Sequence, residues 1–243
     1  MLGIVEEAGA AKRPPALRYF TDPADLELVE AAARGDLKGI DAAIKAGADV
    51  NAEGTDGFVP LAYALLSMNK KGFSALLDRG ADPNVKVAKL PGLSTSLVGM
   101  AAQGEDSFWL KELIAHDAKL DFATSFGGLP PIAIAITLNR IDNMRLMIEE
   151  GVDLDFERMP LGDTPLLNAA MNGKWEAVYI LLEAGADWQR KVSSGLGMVD
   201  LLEIYTNNPG KDRSGTFWMW RTKVAQWLKD HGADVPDEIL NAK

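Results

Sequence analysis

One phrase returns six times along this chain and narrows the folds open to it. A leucine-rich segment runs into Gly-Ala-Asp, then an apolar residue, then often Asn: GADVN at Gly47–Asn51 and GADPN at Gly80–Asn84. It comes back altered as DAKLD at Asp117–Asp121, GVDLD at Gly151–Asp155, GADWQ at Gly185–Gln189 and GADVP at Gly232–Pro236. The starts lie 33, 37, 34, 34 and 47 residues apart, so four of the five intervals sit close to one value. A period this regular marks a repeat architecture. The 243 residues suffice for one solenoid of medium length.

A second phrase falls between the copies of the first. It reads VPLAYA at Val59–Ala64, PPIAIA at Pro130–Ala135 and TPLLNA at Thr164–Ala169. These resemble the Thr-Pro-Leu-His-x-Ala signature of the ankyrin repeat, whose length is about 33 residues. DGFVPLAYALLSMNKKGFSALLDRGADPN and LGDTPLLNAAMNGKWEAVYILLEAGADWQ match over a whole repeat, and the resemblance runs from about Asp22 to the C-terminus. It implies an all-α fold, an ankyrin-repeat solenoid of about six helix–turn–helix repeats with β-turn fingers. The repeats would cover 22–51, 52–84, 85–121, 122–155, 156–189 and 190–236 within a domain 22–243 that ends in a short tail. Residues 1–21 would form an irregular arm lying on the first repeat.

The residues fit that pattern physically. Proline at the first turn of a helix costs no hydrogen bond, so Pro60, Pro131 and Pro165 start inner helices. Ala64, Ala101, Ala135 and Ala169 are small enough for neighbouring inner helices to approach. Leu76-Leu77, Leu113-Ile114, Met147-Ile148 and Leu181-Leu182 would bury the outer helices. Glycines such as Gly47, Gly80 and Gly151 stand where a left-handed residue ends each helix, and Asp-x-Asn then begins a turn. Helices are expected near 24–34 and 37–46, 60–68 and 70–79, 95–103 and 107–116, 130–138 and 141–150, 164–172 and 174–184, and 198–206 and 216–231.

The pattern breaks in two places. The third finger, VKVAKLPGLS, is about four residues too long, Asp117 stands where glycine is expected, and Ser96 replaces the proline. In the last repeat, Thr206–Gly215 is a polar insertion rich in turn formers. FWMWRTKVAQWL follows, crowding Phe217, Trp218, Trp220 and Trp227 into three turns. This aromatic helix either caps the open end of the array or, through Trp218 and Trp220, extends a binding surface. Trp109 and Trp175 fall at packing positions of outer helices.

No catalytic constellation emerges. The two histidines, His116 and His231, occupy the same place at the end of an outer helix, where the helix dipole favours a cation. No Gly-x-Ser-x-Gly elbow is present, and NGK at Asn172–Lys174 lacks the rest of a P-loop. Asp153, Asp155 and Glu157 alternate with a spacing that suggests metal ligands, yet capping and turn roles account for the first two. No enzyme activity, cofactor or metal is expected. A net charge of −10 without a basic stripe disfavours nucleic acid and favours a basic protein surface. No apolar run reaches membrane-spanning length, and the N-terminus lacks the apolar core of a signal peptide. The absence of cysteine chooses no compartment, so the expectation is cytoplasmic, or bacterial periplasmic if an export signal has been removed.

In ankyrin-repeat proteins the binding surface is formed by finger tips and the exposed face of the inner helices. Carried over position by position, the resemblance points to Glu53, Thr55, Asp56, Phe58, Leu66 and Ser67 in the second repeat. It adds Phe126, Leu129, Thr137 and Leu138 in the fourth, Arg158, Met159, Leu161, Asp163, Met171 and Asn172 in the fifth, and Tyr205 in the last. Several are apolar where charge would serve solubility alone, and contiguous exposed apolar surface marks interaction sites. The implied function is a protein-binding module. Its alanine-rich, cysteine-free character resembles bacterial members of the family, some of which are immunity proteins blocking a secreted toxin such as a phospholipase effector. The alternative is a non-inhibitory scaffold or chaperone-like adaptor. The chain is expected to be monomeric on its own.

Overall fold

The computed structural model describes residues 15–85, 96–121, 129–157, 160–207 and 215–241. The chain divides into two compact units, 1–127 and 128–243. The regular elements among the described residues are helices. In the first unit α1 (Pro23–Arg34) pairs with α2 (Leu37–Lys45), α3 (Pro60–Leu66) with α4 (Lys70–Leu77), and α5 (Leu97–Gln103) with α6 (Phe108–Ala115). In the second, α7 (Pro131–Thr137) pairs with α8 (Ile141–Glu149), α9 (Pro165–Met171) with α10 (Trp175–Glu183), and α11 (Met198–Asn207) with α12 (Gly215–Asp230). The stretch expected as a tail forms a further helix, α13 (Asp237–Asn241), packed on α12 and α11.

The inner helices α3, α5, α7 and α9 are buried almost all round, as a helix apolar on every side must be. Three start with proline at the first turn: Pro60, Pro131 and Pro165. The fourth corrects the sequence reading by one residue. Ser96 is the N-cap of α5, its side chain accepting from the Gly99 N–H at 3.0 Å. It therefore matches Thr164, which caps α9 through the Leu167 N–H, and it is Leu97 that stands in the proline position.

The outer helices show one buried stripe. Leu76, Leu113, Met147 and Leu181 are fully buried, each worth about 1.5–3 kcal/mol by area removed from water. Asn69 opens α4 by accepting from the Gly72 N–H at 2.9 Å while donating to the Ala33 carbonyl of the preceding repeat at 3.2 Å. Gly72 is fixed by contact: a Cβ there would lie 1.8 Å from the Ala32 carbonyl oxygen. Asp117 takes φ 62°, the left-handed conformation held by glycine in the other repeats. The substitution thus keeps the geometry at the cost that a Cβ imposes there.

Successive fingers are tied by side-chain amides. Asn51 donates to the Gly80 carbonyl (3.0 Å) and accepts from the Asp82 N–H (2.8 Å). Asn84 repeats the pair one step on, with the Asp117 carbonyl (3.3 Å) and the Lys119 N–H (2.8 Å). In the second unit Asp155 occupies this position and accepts from the Asp187 N–H at 3.0 Å; a carboxylate has no donor for the other half of the link.

Both ends carry aromatic packing. Of the arm, residues 15–21 are described: Tyr19 and Phe20 are buried, and Tyr19 stacks on Phe58 at 4.3 Å. Its carbonyl accepts from the Thr55 N–H at 2.7 Å, so the arm engages the second finger as well as α1. At the other end α12 buries Phe217, Arg221, Val224, Ala225 and Leu228, packing along α10, while Trp218 and Trp220 stay half-buried. The lengthened third finger, over 86–95, and the middle of the polar insertion, 208–214, lie outside the described residues.

Candidate functional site

In the first unit the second finger ends in a tight turn, Thr55–Gly57, with Asp56 at φ 61°. It is closed by the Gly54 N–H donating to the Phe58 carbonyl at 2.8 Å. Glu53, Thr55 and Asp56 are exposed on it, and Leu66 and Ser67 are half-buried at the end of α3. Phe58, expected at the surface, is fully buried between Tyr19 and Tyr63. The arm covers it, and nothing within the repeat foretells that.

The second unit carries the more apolar surface. Leu161 is 51% and Phe156 38% exposed, while Leu129, Leu138 and Met171 are half-buried. Asn172 is exposed and donates to the Asn168 carbonyl at 2.8 Å; Thr137 turns its hydroxyl back to the Ala133 carbonyl at 2.8 Å. Tyr205 is half-buried with its ring edge against Trp175 at 5.5 Å, and its hydroxyl donates to the Met171 carbonyl at 2.6 Å. Burial pushes that phenol above its ordinary value. Tyr205 therefore braces the end of α9 and offers a partner only part of its ring. Phe126, Arg158 and Met159 fall outside the described residues.

Between α7 and α9 lies a shallow open depression lined by Leu129, Pro130, Ala133, Phe156, Asp163 and Asn168, with Thr164 and Pro165. Asp163, expected on the surface, is 3% exposed because it folds down onto α9, where the Asn168 amide donates to its carboxylate at 3.2 Å. Phe156 and Asn168 were not among the residues singled out from sequence. Phe156 follows directly on the finger motif GVDLD. Asn168 sits inside the repeat's own signature.

The acidic alternation after Gly151 is absorbed by the fold. Asp153 accepts from the Asp155 N–H at 2.9 Å, Asp155 from Asp187, and Glu157 pairs with Arg190. The His116 ring lies 2.9 Å from the Glu112 carbonyl and 3.4 Å from Asp78. His231 stacks on Trp227 at 3.6 Å. Among the described residues no group of three or more His, Cys, Asp or Glu is arranged to hold a metal. No helix among them is long and apolar enough to cross a membrane.

Comparison with known proteins agrees with this geometry. A family model of ankyrin repeats, in three copies, matches residues 98–192. Protein PhlB of Serratia liquefaciens is 37% identical over 152 residues, 62% of this chain and 64% of that protein. The chain thus spans a little under two thirds of PhlB, and a third or less of the other curated relatives it matches. Among solved structures, the ankyrin repeat domain ABAYE2397 of Acinetobacter baumannii AYE is similar at a TM-score of 0.67 and 22% identity, over 85% of this chain and 98% of that one. EF0377, an ankyrin repeat protein, is similar at 0.64 and 26% identity, over 84% and 96%.

Proposed function

This chain has the ankyrin-repeat fold, that of a protein-interaction module, and we propose that it holds and inhibits one specific protein in the manner of an immunity protein. Its target on this reading is a secreted bacterial toxin or phospholipase effector whose active-site mouth it covers. The observation that carries the reading is the surface of the second unit. Leu161 and Phe156 stand exposed, Phe156 beside half-buried Leu129, and Met171 is half-buried at the end of α9, on a chain of net charge −10. Apolar anchors within a polar surround are what binding hot spots consist of, and an acidic chain attracts a basic surface and repels other acidic ones. The same composition disfavours phosphate backbones as the ligand.

The test begins by purifying the tagged protein from the cells that encode it and identifying by mass spectrometry what comes with it at one-to-one stoichiometry. The partner's activity is then measured with and without an equimolar amount of this chain. Abolished activity supports the inhibitor. Full activity in a stable complex replaces it with the scaffold or chaperone-like adaptor, and no stoichiometric partner at all overturns both.

A further inference from the structure

The outer helices turn two kinds of face to solvent. Lys38 and Asp41 on α2, Lys70 and Lys71 on α4, and Asp142 and Arg145 on α8 are exposed charges, as is usual for the solvent side of an amphipathic helix. On α10 and α12 aromatic rings take that place. Tyr179 of α10 and Trp220 of α12 are half-buried, with ring centroids 5.6 Å apart and planes inclined at 44°. Lys223 lies with its Nζ 4.4 Å from the Trp220 centroid and 5.8 Å from that of Tyr179. Trp227 is also half-buried, and its indole N–H donates to Glu183 of α10 at 2.5 Å. Trp220, Lys223 and Trp227, at helical spacing, therefore share the flank of α12 that is turned to α10. Phe217, Val224 and Leu228 fill the core beneath α12, so the rings along this seam stand outside it.

The spacing of the rings identifies what lies across them. Seven residues of α-helix set Trp220 and Trp227 about 10.5 Å apart along the axis. A polyproline II segment advances about 9 Å in its three-residue turn, so prolines at every third position meet one indole each. A strand returns to the same face after about 6.8 Å and falls out of step. Among the described residues the Trp220 indole N–H makes no hydrogen bond. A helical ligand uses its carbonyls internally, whereas polyproline II leaves every carbonyl free to accept from that donor. Glu176 and Glu183 stand on α10 three residues before and four after Tyr179, so each end of the seam carries a carboxylate. That charge complements a basic residue beside the prolines.

We propose that the seam between α10 and α12 binds a proline-rich, polyproline II segment of a partner protein, with prolines three apart on Trp220 and Trp227 and a basic residue on Glu183. This is a second interaction surface of the same unit. It shares no residue with the surface that carries the inhibitor reading, so either can fail alone. Exposed Lys223 covers the rings in the free protein and is displaced on binding. The test follows the Trp220 indole N–H by NMR while the intact protein is titrated with the capped octapeptide Arg-Pro-Pro-Ala-Pro-Pro-Ala-Pro. A second peptide replaces every proline by alanine, and a third replaces the arginine by glutamate. The first should move the Trp220 resonance saturably. The alanine peptide should bind about tenfold more weakly, because it is not pre-ordered, and the glutamate peptide about threefold more weakly. Trp220→Lys gives the seam the charge of the other outer helices and should abolish binding. Lys223→Ala changes only an exposed position, uncovers both rings and should tighten the first peptide about threefold. No saturable shift at Trp220, equal binding of the proline and alanine peptides, or weaker binding by Lys223→Ala overturns the proposal. A Trp220 shift that follows protein concentration, with a dimer in sedimentation, assigns the seam to a second copy and overturns it as well. So does a shift with phosphatidylcholine vesicles and none with the peptide, which assigns it to a lipid surface.

Discussion

The joint between the first two repeats and the joint between the fourth and fifth are built from the same parts and finished differently. In the first, Gly72 lets α4 lie directly on the backbone of α1, and Asn69 and Asn51 each bind the neighbouring repeat while satisfying both halves of their amides. In the other, α8 and α10 begin after Arg140 and Lys174, whose side chains cap nothing. Asp155 makes half of the finger link. Asn168 Oδ1 and the Trp175 indole N–H are buried without partners among the described residues. The first joint is closed and self-sufficient. The second leaves polar atoms unpaired beneath its surface, a standing cost that the first joint avoids.

The comparison can be broken most severely at Gly72. Gly72→Ala forces α1 and α4 apart and is expected to cost about 3 kcal/mol, at the upper end of overpacking effects, read from the midpoint of urea unfolding. Exchanging the finger residues should shift the two joints in opposite directions. Asn51→Asp loses the donor to the Gly80 carbonyl and should destabilise by about 1 kcal/mol, whereas Asp155→Asn gains one and should stabilise by a similar or smaller amount. A loss in both variants would show that the joints do not share one geometry. Asn168→Leu removes the unpaired oxygen but also the donor to the buried Asp163 carboxylate, and the second loss should prevail, costing about 1 kcal/mol by the same chemical unfolding; an unchanged or raised midpoint would mean that the carboxylate does not depend on the amide.

The smallest effect is electrostatic and belongs to the first unit. Lys70 and the Phe108 N–H hold the Asp106 carboxyl below its ordinary value. A depressed carboxylate contributes stability that is complete above the unfolded pKa of about 3.9 and disappears as pH falls through the lower folded value. Asp106→Asn should therefore reduce the difference in melting temperature between pH 6 and about pH 3, and leave finger-joint variants unaffected.

The helices were legible in the sequence to within about two residues because proline, cap residues and left-handed glycines are local signals. Where the proline was missing, the reading of the third repeat slipped by one residue, and Ser96 was placed in its neighbour's role. Burial was legible only where the repeat itself decides it. Phe58 is covered by Tyr19, 39 positions earlier, and no periodicity encodes that contact. The burial of Asp163 was opaque for a related reason: it stands just before a signature that says only where the helix starts, and it is hidden because its carboxylate turns onto the Asn168 amide one turn into α9. Leu161, Leu129 and Met171 were recognisable because an apolar residue at a surface position of a repeat is itself an anomaly.

The buried arginine of the last repeat has a practical consequence. Arg221 is inaccessible, donates to the Ile239 carbonyl at 2.8 Å and to the Thr206 hydroxyl, and is pushed by burial down to about 10. Even so it stays charged at neutral pH, so α13 is the latch over a permanent cation. Cutting the chain after Pro236 would remove more than five helical residues: it would strand a guanidinium among apolar side chains with one of its acceptors gone. A protease trimming this end, or an engineer shortening it for crystallisation, would loosen the whole terminal repeat, whereas an added tag beyond the latch leaves that lock in place.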